Sequence, residues 1–171
     1  MDDFSIAILK ELLPTEKAPP SSAKTKREQR EDVLDHLSGP ILLERAAHLR
    51  KLAKFGDGSA SEILREYPQH AIHLLVRSRN GQAELHERFA DLFFVLDGKA
   101  ALLTGGTIAD AKTIAPGEIR GSSVADGVQQ ELRAGDLAHV PAGLPHQMLV
   151  SGDKFVTCLV LKIEQQPPQK A

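Results

Sequence analysis

Between residues 71 and 163 the chain breaks off every apolar run after a few residues and restarts it behind a turn. The runs lie at 71–77, 83–86, 92–96, 99–104, 137–140, 146–150 and 155–163, and each is apolar throughout or alternates. Asn80-Gly81, Asp97-Gly98, Gly105-Gly106, Pro141-Ala142-Gly143 and Ser151-Gly152-Asp153 stand between them. Stretches this short, separated by residues that supply positive φ or fix φ, are strands rather than helices. With no helical pattern alternating among them, they predict an antiparallel sandwich or barrel. Asp97-Gly98 fits a two-residue hairpin turn, in which both central positions need positive φ.

The first 66 residues have a different period. Apolar residues at 4, 6, 8, 9, 12 and 13 make a helical face that Pro14 ends. Residues 15–26, with Pro19-Pro20-Ser21-Ser22, read as an exposed linker. A charged helix is predicted over 27–37. A further helix opens at Pro40, carries Leu42, Ala46, Leu49 and Ala53 on one stripe and is capped by Gly56. Ser59-Ala60-Ser61-Glu62 fits a capping box opening a short helix to about Tyr67. The expected organisation is a helical extension with linker over 1–66, a β-barrel domain over 67–164 and a tail over 165–171.

Composition excludes several classes of partner. The 21 Lys and Arg are matched by 23 Asp and Glu, so the chain lacks the basic footprint of a protein that binds nucleic acid or an anionic membrane. Aromatics make up 4% and Trp is absent, which argues against stacking platforms for bases. No apolar run approaches the roughly 18 residues of a membrane span, and Met1-Asp2-Asp3-Phe4-Ser5 does not resemble a secretory signal. The single cysteine, Cys158, cannot form an internal disulfide, and a cytoplasmic setting is expected. Set in an apolar strand, its thiol is expected to be buried and inert.

Two segments carry chemistry. Gly135-Asp-Leu-Ala-His139-Val-Pro141-Ala-Gly143-Leu-Pro-His146 sets a histidine behind a Pro-x-Gly bend, and Glu84-Leu-His86 with Asp91 lies about fifty residues upstream. Glu84 and His86 are two apart on a strand and therefore share a face. Two imidazoles with acids on neighbouring strands are the raw material of a divalent-metal site.

The same segments resemble the motifs of the cupin family. Gly135, Pro141, Gly143 and His146 fall on its second motif, G-xxxxx-P-x-G-xx-H-xxx-N, with Val150 in the place of the Asn. Counting back from Gly98 on the first motif, Asp91 takes the position of the Glu, His86 the second His, Glu84 the first His and Ser78 the leading Gly. The resemblance spans about residues 71–163. It implies a double-stranded β-helix or jelly-roll barrel with Glu84, His86, Asp91 and His146 around Mn, Fe, Ni or Zn. A small-molecule ligand and a homodimer, whose partner covers a sheet edge, are implied with it. A degenerate first motif is also what a barrel that has lost its metal would carry, with Glu84 and Asp91 as solvated strand residues.

Weaker signals surround this core. His139, two residues before Pro141, reads as a cavity-lining general base or as a half-buried strand histidine. Residues 104–130 form a long connection of the kind that makes lids and binding loops. Within it Glu118 reads as a further ligand or base and Arg120 as a bidentate clamp on a substrate carboxylate, or the two as a surface ion pair. His86-Glu87 does not continue to the second His of a zinc-protease helix, since residue 90 is Ala, and Gly105-Gly106-Thr107 is not a phosphate loop. Three functional readings follow. The first is a small-molecule cupin with a divalent metal, enzymatic if the metal activates its ligand. The second is a non-catalytic binding or sensing barrel without metal. The last is a regulator whose helices between residues 27 and 55 form a helix-turn-helix, which their mixed charge disfavours.

Overall fold

Alternation along the strands gives one sheet two apolar faces, and both are covered. The computed structural model describes residues 36–152 and 154–165. In it β1 (Ser59–Glu66), β2 (His70–Arg77), β12 (Val156–Glu164) and the first half of β4 (Phe89–Thr104) lie antiparallel in that order. β10 (Leu137–Val140) pairs with the other side of that half of β4. The second half of β4 pairs with β9 (Val128–Arg133) and β11 (His146–Leu149), and the sheet continues through β3 (Ala83–His86), β7 (Glu118–Gly121) and β6 (Lys112–Ala115). The result is a double-stranded β-helix, a curled antiparallel jelly roll. The connection after Thr104 is structured throughout: besides β6, β7 and β9 it holds the ribbon of β5 (Thr107–Ala109) and β8 (Ser123–Ala125).

The barrel interior is filled by the inward residues of these strands, among them Phe93, Val95, Leu102, Val140, Met148 and Val160. On the outer face, α1 (Gly39–Phe55) sets Ala46, Leu49 and Ala53 against Leu64, Leu74 and Val76, with Leu42 packed alongside. The predicted stripe is therefore the buried one. The helix does not end in a left-handed Gly56, whose φ is −98°. Gly58 takes that conformation, with φ +94°, and its N–H donates to Ala53 O at 3.1 Å.

Two local readings are corrected. Residues 59–66 form strand β1, not a capped helix. An isolated helix of two turns is marginal, whereas the strand pairs with β2 along its length and buries Leu64 beneath α1. The barrel sheet thus begins before residue 67. Asp97-Gly98 is not a hairpin turn either, because β4 runs straight through it and passes from one sheet to the other. Gly98 does have φ +78°, and a Cβ there would lie 2.1 Å from Phe155 O. The register against β12 slips between Thr157 and Cys158, so the glycine serves a bulged corner. Arg50 of α1 braces that corner, donating to Asp97 Oδ2 at 2.5 Å and lying over the Phe155 ring.

The helix expected over 4–13, the linker over 15–26, nearly all of the charged helix over 27–37 and the tail from 166 lie outside the described residues, and with them the first helix of the helix-turn-helix reading. Among the described residues no helix is long and apolar enough to cross a membrane.

Cys158 lies in the barrel core with no exposed surface, and burial pushes its thiol up to about 12. At pH 8 the thiolate is therefore scarce as well as inaccessible. Iodoacetamide is expected to leave native Cys158 unmodified over hours and to alkylate it within minutes in guanidinium chloride, as read by intact mass. Rapid alkylation of the native protein would show that the β4–β12 layer does not close over it.

Candidate metal centre

Glu84 and His86 stand on β3, Asp91 on β4 and His146 on β11. Register brings them together, since His146 lies directly opposite Glu84. One ligand atom from each of the four residues can be chosen so that all lie within 4.8 Å of one another. His86 Nε2 is 3.5 Å from Glu84 Oε2 and 3.4 Å from Asp91 Oδ2, and His146 Nε2 is 3.5 Å from the same Asp91 oxygen. Metal–ligand bonds of about 2.1 Å set neighbouring donors roughly 3.0–3.4 Å apart, so these three spacings are close to those around a single ion.

Both imidazoles are held with Nε2 toward this point. His86 Nδ1 lies 2.6 Å from Glu118 Oε2 and His146 Nδ1 lies 3.1 Å from Leu144 O. A carboxylate and a carbonyl only accept, so each Nδ1 carries a hydrogen and the neutral ring has its lone pair on Nε2, the tautomer of a metal-ligating histidine. The Pro-x-Gly bend supplies the second of these contacts. Gly143, at φ +79°, donates its N–H to His86 O at 2.7 Å, which fastens the bend to β3 beside the cluster. His146 Nε2 is buried and has no hydrogen-bond partner. Such an atom costs about 1–3 kcal/mol if it stays unsatisfied, and a cation among the four donors would satisfy it. The residues fit a divalent metal.

A fifth side chain reaches the cluster. Lys162 of β12 lies directly opposite Asp91, and its Nζ donates to Asp91 Oδ1 at 2.8 Å and to His86 Nε2 at 2.9 Å. The second contact is a hydrogen bond only while His86 is neutral. Charge in the cluster follows one rule. Burial raises the Glu84 carboxyl, but His86, Arg120, His146 and Arg77 outweigh it and hold the group at about 2. Asp91 is likewise pushed up by burial and held far below the usual carboxylate range by His146, His86 and Lys162. Burial lowers His86, yet Asp91 and Glu84 draw it up to about 9. The two carboxylates thus favour positive charge between them in any form, and His86 Nε2 can take a proton, the Lys162 ammonium or a metal ion, one at a time.

The other residues singled out in the sequence fall elsewhere. Glu118, opposite His86 on β7, orients that ring and is not a free base. Arg120, opposite Glu84, lies 3.4 Å from Glu84 Oε2 and 3.6 Å from Glu118 Oε2; it does not line the cavity beside the centre. His139 is exposed, because Val140 and Ala138 take the inward side of β10, so it has no position from which to act as general base there. The cavity is open to solvent and is walled in part by Leu75, Phe93, Met148 and Val160, with Arg77 and Lys162 as its cations. Neither cation was singled out in the sequence. The signal lay in alternation, since Arg77 and Lys162 sit two residues beyond the inward Leu75 and Val160.

A curled antiparallel barrel carries two histidines and two acids on inward strand positions, one histidine behind a Pro-x-Gly bend. The architecture is that of a double-stranded β-helix. No protein-family model matches the sequence, and no curated protein does. Among solved structures the chain is similar to the polyketide cyclase RemF from Streptomyces resistomycificus (16% identity, 65% of this chain and 68% of that one, TM-score 0.46). It is also similar to an uncharacterized conserved protein with a double-stranded beta-helix domain from Klebsiella pneumoniae (16% identity, 62% and 76%, TM-score 0.47). A third is the DMSP lyase DddQ from Ruegeria pomeroyi (20% identity, TM-score 0.48), where the match takes in 70% of this chain but spans only about half of the lyase, 52%.

In this barrel Glu118 fixes the ring that presents His86 Nε2. Loss of such an outer partner lowers metal affinity about 10–100-fold. Glu118→Ala is expected to weaken zinc binding by that factor in calorimetric titration with the circular dichroism spectrum unchanged. Equal affinity would remove Glu118 from the site.

Proposed function

We propose that the chain is a small-molecule-binding cupin that holds one divalent metal ion on Glu84, His86, Asp91 and His146 and uses it on a ligand in the adjoining cavity. The observation that carries this reading is the lone pair of His146 Nε2, buried, without a partner and faced by three further donors. Two imidazoles with two carboxylates make a mixed, fairly hard set suited to Mn, Fe, Ni or Zn rather than Cu. When bound, such an ion supplies Lewis acidity toward an oxygen of the ligand. The chain's own residues do the rest. Glu118 and Leu144 O hold the two rings, Arg120 and Arg77 lie against Glu84, and Leu75, Phe93, Met148 and Val160 give the ligand an apolar wall. Lys162 holds a proton at Nζ on the cavity side of Asp91.

Lys162 also favours a second reading. Its ammonium already supplies a positive charge to Asp91 and a donor to His86, which is what a metal-free binding or sensing barrel would need.

Metal content separates the two. Untagged protein, reconstituted and dialysed, is expected to retain near-stoichiometric Mn, Fe, Ni or Zn by inductively coupled plasma mass spectrometry, and the His86→Ala/His146→Ala double variant to retain none. No metal in either protein would sink the metal reading and leave the binding barrel.

A further inference from the structure

With both imidazoles neutral, as metal ligation requires, the side chains around the centre already balance in charge. Among the described residues, Arg77, Arg120 and Lys162 meet Glu84, Glu118 and Asp91, three cations against three carboxylates. With neutral imidazoles a divalent ion adds two positive charges to a largely buried cluster. Uncompensated buried charge is costly, so the molecule that enters beside the ion has to bring negative charge.

Two of the three cations face the space such a molecule would occupy. Lys162 commits two of its three N–H groups, to Asp91 and His86, and lines the cavity. Arg77 lines it too. Its contact with Glu84 is long, at 3.5 Å, and its Nε is buried with no hydrogen-bond partner. The turn beside it is shaped to the guanidinium, for a Cβ on Gly81 would lie 2.9 Å from Arg77 Cζ. Of the remaining lining away from the four candidate ligands, Leu75, Phe93, Met148 and Val160 are apolar, and Ser61, His73 and Gln82 are polar.

We propose that the cavity takes a small monocarboxylate with a short apolar body, its head held by Arg77 and Lys162 beside the metal centre. The planar guanidinium matches a carboxylate and offers paired donors to it. A doubly charged phosphate suits the site less, because both cations already share their charge with a carboxylate of the chain. The inference rests on the metal reading for its charge count, and on Arg77 for its specificity.

The test uses full-length protein loaded with zinc, its stoichiometry measured first. Butanoate binding is followed by ligand-observed NMR, beside the neutral butanamide and inorganic phosphate. Butanoate is expected to bind and butanamide not. Arg77→Met should weaken butanoate at least tenfold in protein that still folds and takes up zinc, and Arg77→Lys should recover part of the loss. Equal butanoate binding in Arg77→Met would mean that the ion alone holds the carboxylate and would overturn the assignment while the metal reading stands. Tighter binding of phosphate than of butanoate would overturn the ligand class. Failure to take up zinc would overturn the metal reading and this inference together. Should Arg77→Met lose zinc or unfold, Arg77→Lys decides, by a smaller loss confined to butanoate or by none.

Discussion

The Asp91 carboxylate is the constraint around which this barrel is built. It is 2% exposed and remains ionised. A lone carboxylate in such a place costs many kcal/mol, and breaking a buried pair by removing one partner typically costs about 3–5 kcal/mol. Lys162 meets that demand directly, at 2.8 Å on Oδ1, while His86 Nε2 and His146 Nε2, at 3.4 and 3.5 Å from Oδ2, leave a place beside that oxygen for a proton or a cation. Whatever the barrel binds has to leave that carboxylate compensated.

The compensation comes from strand register. Asp91 lies opposite Lys162 across β4 and β12, Glu84 opposite Arg120 and His86 opposite Glu118 across β3 and β7, and His146 opposite Glu84 across β11 and β3. Each candidate ligand has a directly facing neighbour that supplies its counter-charge or orients it. Facing pairs are where a sheet controls side-chain contacts most tightly. The corner at Gly98 makes this possible, because it lets β4 run on from the sheet that holds Asp91 and Lys162 to the sheet that holds His146 and Glu84.

What could be read from the sequence is what depends on local spacing. The two-residue step from Glu84 to His86 fixes a common face, the Pro141-x-Gly143 bend fixes the approach to His146, and the stripe Leu42-Ala46-Leu49-Ala53 fixes the buried side of α1. What depends on register was hidden. Nothing near position 118 says that it will face His86, and nothing near 162 says that it will face Asp91, because those pairings join strands 32 and 71 residues apart. Residues 59–66 failed for the related reason that their partner strand outweighs a local capping pattern. Gly98 shows the intermediate case, in which positive φ was foreseeable but its use at a corner was set by β12.

The lysine and a metal ion are less exclusive than their shared acceptors suggest. An imidazole nitrogen has one lone pair, so an ion on His86 Nε2 takes that acceptor from Lys162 outright. A carboxylate has two oxygens and several acceptor sites. Lys162 uses Oδ1 of Asp91, whereas both histidines face Oδ2. Loading the centre therefore costs Lys162 one of its two contacts and leaves the ion pair with Asp91 available. The released N–H belongs to a side chain that already lines the cavity. One barrel can in this way remain compensated without a metal and gain, on binding one, a further cationic donor where a ligand enters.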